Sequence, residues 1–282
     1  MNKYKRLLIA IDGSERSMYA YYEALKFSKL TNSEIVAISV FSPPRGVSSA
    51  LSIMAHFTDV IKRPYVKALE EAKDIAEEEN IKIKTIYKEG EPHKEIIKTA
   101  QEENCDLIIT GRRGETRLAR LFVGSVTSIL INESPIDLLV IPKDTKIKTD
   151  KFLLVIQDLK DKEKVLKKAG ELAKIYKSEL NIVYIIIEIL TETITGYEDI
   201  MLSLRNAIEE EFMSMKKELD KFNIFYRFFV KYGFSYKIIE ETSKELQPGM
   251  IISENINNRE GKFIEKIIAY SSIPVLVFKK IK

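Results

Sequence analysis

Short apolar runs alternate with longer amphipathic stretches along the whole chain. Leu7 to Ile11 is the first run, ending at Asp12-Gly13-Ser14. Residues 15–30 then return apolar side chains at helical spacing, with Tyr19, Tyr22, Leu25 and Leu30 near one face. Ile35 to Phe41 reads as a second strand, stopped by Pro43-Pro44. Residues 45–63 fit neither period. Pro64 predicts the start of a charged helix reaching Asn80, because proline tolerates a first turn. Ile81 to Tyr87 alternates like a strand, and Pro92 begins a helix with Ile96, Ile97 and Ala100 inward. Leu107 to Thr110, a helix from Gly124 to about Glu133, and Ile136 to Ile141 complete the unit. Alternating strands and helices with continuously apolar strands predict a parallel sheet covered on both faces.

The pattern then repeats. Leu7 to Asp12 matches Leu153 to Asp158 at an offset of 146, and Leu107 to Thr110 matches Met250 to Ser253 at 143. Gly90 meets Gly233, Gly124 meets Gly261, and Ser134-Pro135-Ile136 meets Ser271-Ser272-Ile273. Two copies of one α/β unit are expected, at 1–145 and 151–282, joined by the polar stretch Lys143 to Asp150. The last offset, 137, places a deletion of about six residues between the fourth strand and fourth helix of the second copy.

Composition narrows the class. The 282 residues suit about two domains, and 45% apolar with 31% charged residues describes a globular chain. Lys and Arg number 45 against 42 acids, so the net charge of +3 argues against a nucleic-acid partner. The longest apolar run, Ile182 to Ile187, is too short for a membrane span, and no signal-peptide core follows Met1 to Arg6. Cys105 is the only cysteine and reads as a packed thiol, excluding disulfides and cysteine zinc clusters. With only His56 and His93, no protein-made metal site is expected. A soluble protein of a reducing, cytoplasmic compartment is expected.

The candidate chemistry lies in the segment from Gly111 to Thr127, with spacing G-x2-G-x9-G-S through Gly111, Gly114, Gly124 and Ser125. It runs from a strand's carboxyl end to a helix N-terminus. There glycines admit a close backbone approach, free amides favour an anion, and the Ser125 and Thr127 hydroxyls can bind phosphate oxygens. An ordinary loop with Ser125 as helix cap has the same spacing, so both readings stay open.

Residues 1–142 resemble a universal stress protein domain. Gly111, Gly114, Gly124 and Ser125 match every specified position of that family's glycine motif. Pro92 to Ile97, Asp106 to Ile109, and Ser134-Pro135 through Ile141 also resemble its flanking runs. The resemblance implies two tandem, doubly wound, five-stranded parallel sheets in order 3-2-1-4-5, a Rossmann-like, adenine nucleotide alpha hydrolase-like fold. It also implies a crevice between strands 1 and 4. In ATP-binding members the matching positions contact nucleotide. Carried over, Ala10, Ile11, Asp12 and Val40 would meet adenine and ribose. Gly111, Arg112, Gly114, Gly124, Ser125, Val126 and Thr127 would hold ribose and phosphates. ATP, AMP or ADP is the implied ligand, with magnesium arriving with ATP. Asp12 has a competing reading as a helix N-cap. Arg112, Arg113, Arg117 and Arg120 depart from the small or polar residues usual there.

In the second copy Glu254 replaces the first glycine, Leu159-Lys160 replaces Gly13-Ser14, and Lys262 stands for Ser125, so no ATP site is expected there. The main expectation is a nucleotide-binding stress-response protein with one competent site. Its halves would pack as a pseudo-dimer through their fifth strands, and a homodimer and an unidentified protein partner are also expected. No catalytic residue is assigned. Slow ATP hydrolysis or phosphotransfer, and a nucleotide-independent scaffold, remain as alternatives.

Overall fold

The structure is a computed structural model that describes residues 3–43, 51–112, 123–156, 162–186, 197–233, 235–254 and 261–279. The chain divides into two compact units, one made of Asn2–Ile147 together with Lys279–Lys282 and the other of Lys148–Phe278.

In the first unit the elements are β1 (Arg6–Ala10), α1 (Glu15–Thr31), β2 (Glu34–Phe41), α2 (Leu51–Glu78) and β3 (Ile83–Glu89). They continue with α3 (Pro92–Glu102), β4 (Leu107–Gly111), α4 (Ser125–Glu133) and β5 (Asp137–Ile141). The strands are parallel in order β3-β2-β1-β4-β5. Continuous burial along β2, β4 and β5 explains their unbroken apolar sequence, since both faces are covered. Helix α1 touches α2, and α3 touches α4. Right-handed crossovers impose that pairing on this order. The order in which strands are added to the sheet therefore reverses between β1 and β4, while every strand stays parallel.

Two local expectations are corrected. Tyr22 and Leu30 are exposed; α1 buries Ala20, Tyr21, Ala24, Leu25 and Phe27 instead. The buried stripe also carries Ser17, Glu23 and Ser28, so small and polar residues hide the inward face from a hydrophobic count. Helix α2 does not begin at Pro64 but contains it, starting at Leu51. Proline removes one backbone donor there without ending the helix. The Tyr21 hydroxyl donates to the Ala72 carbonyl at 2.5 Å and pins α1 to α2.

The segment after β5 is fastened to α1. Lys143 pairs with Glu15 at 2.8 Å, the Tyr19 hydroxyl donates to the Thr145 carbonyl at 3.1 Å, and the Ile147 amide donates to buried Glu23 at 3.1 Å.

The second unit contains β6 (Lys151–Ile156), α5 (Lys162–Tyr176), β7 (Glu179–Ile186), α6 (Tyr197–Leu219) and β8 (Tyr226–Tyr232). It closes with α7 (Ser235–Leu246), β9 (Met250–Glu254), α8 (Gly261–Tyr270) and β10 (Val275–Phe278). Its parallel order is β10-β9-β6-β7-β8, the same order written from the other edge. The backbone repeats in detail. Positive φ recurs at Asn32 and Lys177, Asn80 and Asn223, Gly90 and Gly233, and Asn104 and Gln247. Ser134 Oγ accepts from the Ile136 amide and donates to its carbonyl, and Ser271 does the same with Ile273. On α6, Ile208 and Met215 are buried.

Cys105 is buried beside β4, and burial pushes its thiol up to about 12. The thiolate is the reactive form. Native protein at about pH 8 should therefore resist iodoacetamide and react once unfolded in urea; rapid native alkylation would contradict this packing.

Candidate functional site

A cavity of about 380 Å³ opens where β1 and β4 end. That volume lies within the roughly 300–1,000 Å³ range of small-molecule sites. Among the residues named from sequence, Ala10, Ile11, Asp12, Val40, Gly111, Arg112, Gly124, Ser125, Val126 and Thr127 all line it. Gly114, with Arg113, Arg117 and Arg120, lies outside the described residues.

The turn from β1 into α1 is locked by its own side chains. Gly13 adopts φ +76°, which suits glycine. Ser14 is the N-cap of α1, its Oγ accepting from the Ser17 amide at 3.3 Å. Asp12 is therefore not the cap; its Oδ1 accepts the Ser14 amide at 3.0 Å and so orders the residue that is. The Ser17 hydroxyl accepts from the Asp12 amide at 3.2 Å and donates to the Ser14 carbonyl at 2.9 Å. Burial works to raise the Asp12 pKa, but hydrogen bonds from Ser14 and Ser17 outweigh it and hold the carboxyl below its ordinary value.

Gly111 has a different reason to be glycine than the sequence suggested. A Cβ there would stand 2.7 Å from the Arg16 carbonyl oxygen and 3.3 Å from the Ser17 amide nitrogen. The missing side chain admits the first turn of α1 rather than a ligand. At the other end of the loop, Gly124 is the N-cap of α4, with φ +95° and ψ +139°, and makes no side-chain cap bond. Ser125 is thus the first helical residue and not the cap. Across this turn the Ser128 amide donates to the Gly124 carbonyl at 2.9 Å. The amides of Ser125, Val126 and Thr127 precede it, and all three residues line the cavity.

Sequence reasoning missed several wall residues. Arg16 and Ser17 from α1, Ile38 and Ser42 from β2 and its end, Tyr65 from α2, Pro92 and Ile96 from α3, and Thr110 from β4 also line the space. Tyr65 lies on a helix the sequence predicts, but nothing in its linear pattern says that this helix faces the crevice. Ile38 and Thr110 had a signal: each lies on a strand already assigned to the crevice. Thr110 is buried, and its Oγ1 has no hydrogen-bond partner among the described residues.

The lining therefore has two characters. Ile11, Ile38, Val40, Tyr65, Pro92 and Ile96 form an apolar part, while Ser14, Arg16, Thr110, Arg112 and the start of α4 form a donor-rich part. Asp12 is the one carboxylate among the described lining residues.

The equivalent place in the second unit differs. Gly111 pairs with Ile141, and Glu254 occupies the same register position opposite Phe278. Glu254 carries a Cβ where Gly111 has none, so α5 cannot approach β9 as α1 approaches β4. Helix α5 rests on β6 and β7.

Two outcomes follow for stability. Gly111→Ala should cost about 1–3 kcal/mol in chemical denaturation, because backbone must move; a neutral result would contradict the close contact. Asp12 has a folded pKa below its unfolded value, so its contribution is full above the unfolded pKa and is lost as pH falls through the folded one. Asp12→Asn should flatten the stability profile below about pH 4; an unchanged acid limb would contradict the assigned bonds.

The sequence profile of the universal stress protein family matches residues 3–142. A universal stress protein of Methanocaldococcus jannaschii is 35% identical over 147 residues, covering 51% of this chain and 86% of that protein. The Bacillus subtilis universal stress protein YxiE is 34% identical over 132 residues, covering 44% of this chain and 89% of its own length. The crystal structure of a universal stress protein from Archaeoglobus fulgidus shares the fold over 99% of this chain and 97% of that one, with TM-score 0.72 at 21% identity. Sequence kinship over the first unit and a common fold across the chain agree: the protein belongs to the universal stress protein family.

Proposed function

We propose that this protein is a regulatory adenine-nucleotide-binding member of its family, with one competent site, in the first unit. The observation that carries the reading is the divided lining of the 380 Å³ cavity. A ligand matching it has a flat apolar portion and an anionic tail. Ile38, Val40 and Tyr65 suit a base, while the amides opening α4 and the Ser125 and Thr127 hydroxyls suit phosphate. The unpartnered Thr110 hydroxyl in the wall supports a polar ligand group nearby. Each charge-assisted hydrogen bond contributes about 1.5–3 kcal/mol.

Magnesium would arrive with ATP, and Asp12 is the lining carboxylate nearest in chemistry to a partner for it. Among the described residues no group of three or more His, Cys, Asp or Glu stands together to hold a metal. Among the described lining residues Asp12 is the one carboxylate. Glu254, at the register position of Gly111, would repel phosphate, which supports a site in one unit only.

Calorimetric titration with Mg-ATP should show saturable binding by the wild type. Gly124→Asp should abolish it, because a carboxylate would stand at the open amides of α4; φ +95° strains any side chain here, so the loss counts only where circular dichroism shows the variant folded. Absence of binding by the wild type would overturn the reading.

A further inference from the structure

Arg16 has no role in the reading given so far. It stands in the first turn of α1, half-buried, and lines the cavity. No ion pair or side-chain hydrogen bond engages it among the described residues, although its neighbour Glu15 is paired with Lys143 at 2.8 Å. A cation in a first turn lies against the positive end of the helix, an unfavourable place. A second cation begins close by. Gly111 touches the Arg16 backbone, and Arg112 is the next residue, so both arginines leave from adjoining backbone and both line the cavity. The N-terminus of α4 faces the same space, and Asp12 is the one described carboxylate opposing these charges. Arg16 and the positive N-terminal ends of α1 and α4 are brought together and repel one another. An anion bearing several charges relieves that repulsion, and a singly charged or neutral ligand does so poorly.

Resting on the nucleotide reading above, we propose that Arg16 is a specificity-determining residue that reads the length of the phosphate tail. It makes the site select a nucleoside polyphosphate over a monophosphate or a nucleoside. A planar guanidinium can hold phosphate oxygens in pairs, which the ammonium of lysine cannot do as well.

The test is calorimetric titration of wild type, Arg16→Ala, Arg16→Gln and Arg16→Lys with ATP, AMP and adenosine, each with magnesium. The expected result is a loss of roughly tenfold or more in ATP affinity for the Ala and Gln variants, the worth of one charge-assisted bond. Adenosine binding should stay within about twofold, the scatter of unconnected effects. The Lys variant should retain part of the ATP preference. Equal weakening of all three ligands would show a structural role and overturn the proposal. ATP affinity unchanged in Arg16→Ala and Arg16→Gln would overturn it while leaving the nucleotide reading standing. Failure of the wild type to bind any of the three would bring down both.

Discussion

Where β4 ends, the backbone of Gly111 lies so close to the first turn of α1 that a Cβ would stand 2.7 Å from the Arg16 carbonyl oxygen. The candidate site depends on that contact. It brings α1 down beside β4, across the point where the strand order reverses. It also sets the Asp12–Ser17 turn at one wall of the cavity and starts Arg16 and Arg112 from adjoining backbone. The conformational demand on the other side of the cavity falls on Gly124, whose φ of +95° leaves the start of α4 uncapped by any side chain.

The two units show what a duplicated fold keeps and what it releases. Left-handed backbone positions recur in pairs, and the Ser134 and Ser271 turns carry the same two hydrogen bonds. These features close helices and start strands, so any copy that folds this way needs them. Gly111 is not under that constraint. Its counterpart Glu254 occupies the same register in a parallel strand without disturbing the pairing. A sheet tolerates a side chain at a strand's carboxyl end, and a close helix contact there does not. The second unit therefore preserves the scaffold after the crevice chemistry has changed.

Much of this was legible in the sequence because parallel strands buried on both faces leave long apolar runs, and because the runs recur in order. The reversal at β1 and β4, and ten of the lining residues, follow from the family resemblance and the strand ends. What escaped did so for physical reasons. The buried face of α1 is built from Ala, Ser and a satisfied Glu23, so hydrophobicity pointed to Tyr22 and Leu30 instead. Pro64 lies inside α2 rather than at its start, and nothing in the linear pattern says that this helix faces the crevice with Tyr65. The competing reading of Asp12 as the cap of α1 fails because the turn geometry gives that place to Ser14. Arg16 was invisible because nothing in a linear sequence says that a helix's first turn meets a strand's end.

The central claim is that this chain holds one adenine nucleotide, in its first unit. Nucleotide content per chain tests it most directly: saturate the full 282-residue protein with ATP, remove free ligand, denature, and quantify the released base by chromatography. The account predicts about one adenine nucleotide per chain for the wild type and none for Gly124→Asp. Two per chain, or one that persists in Gly124→Asp, would place binding elsewhere and contradict it.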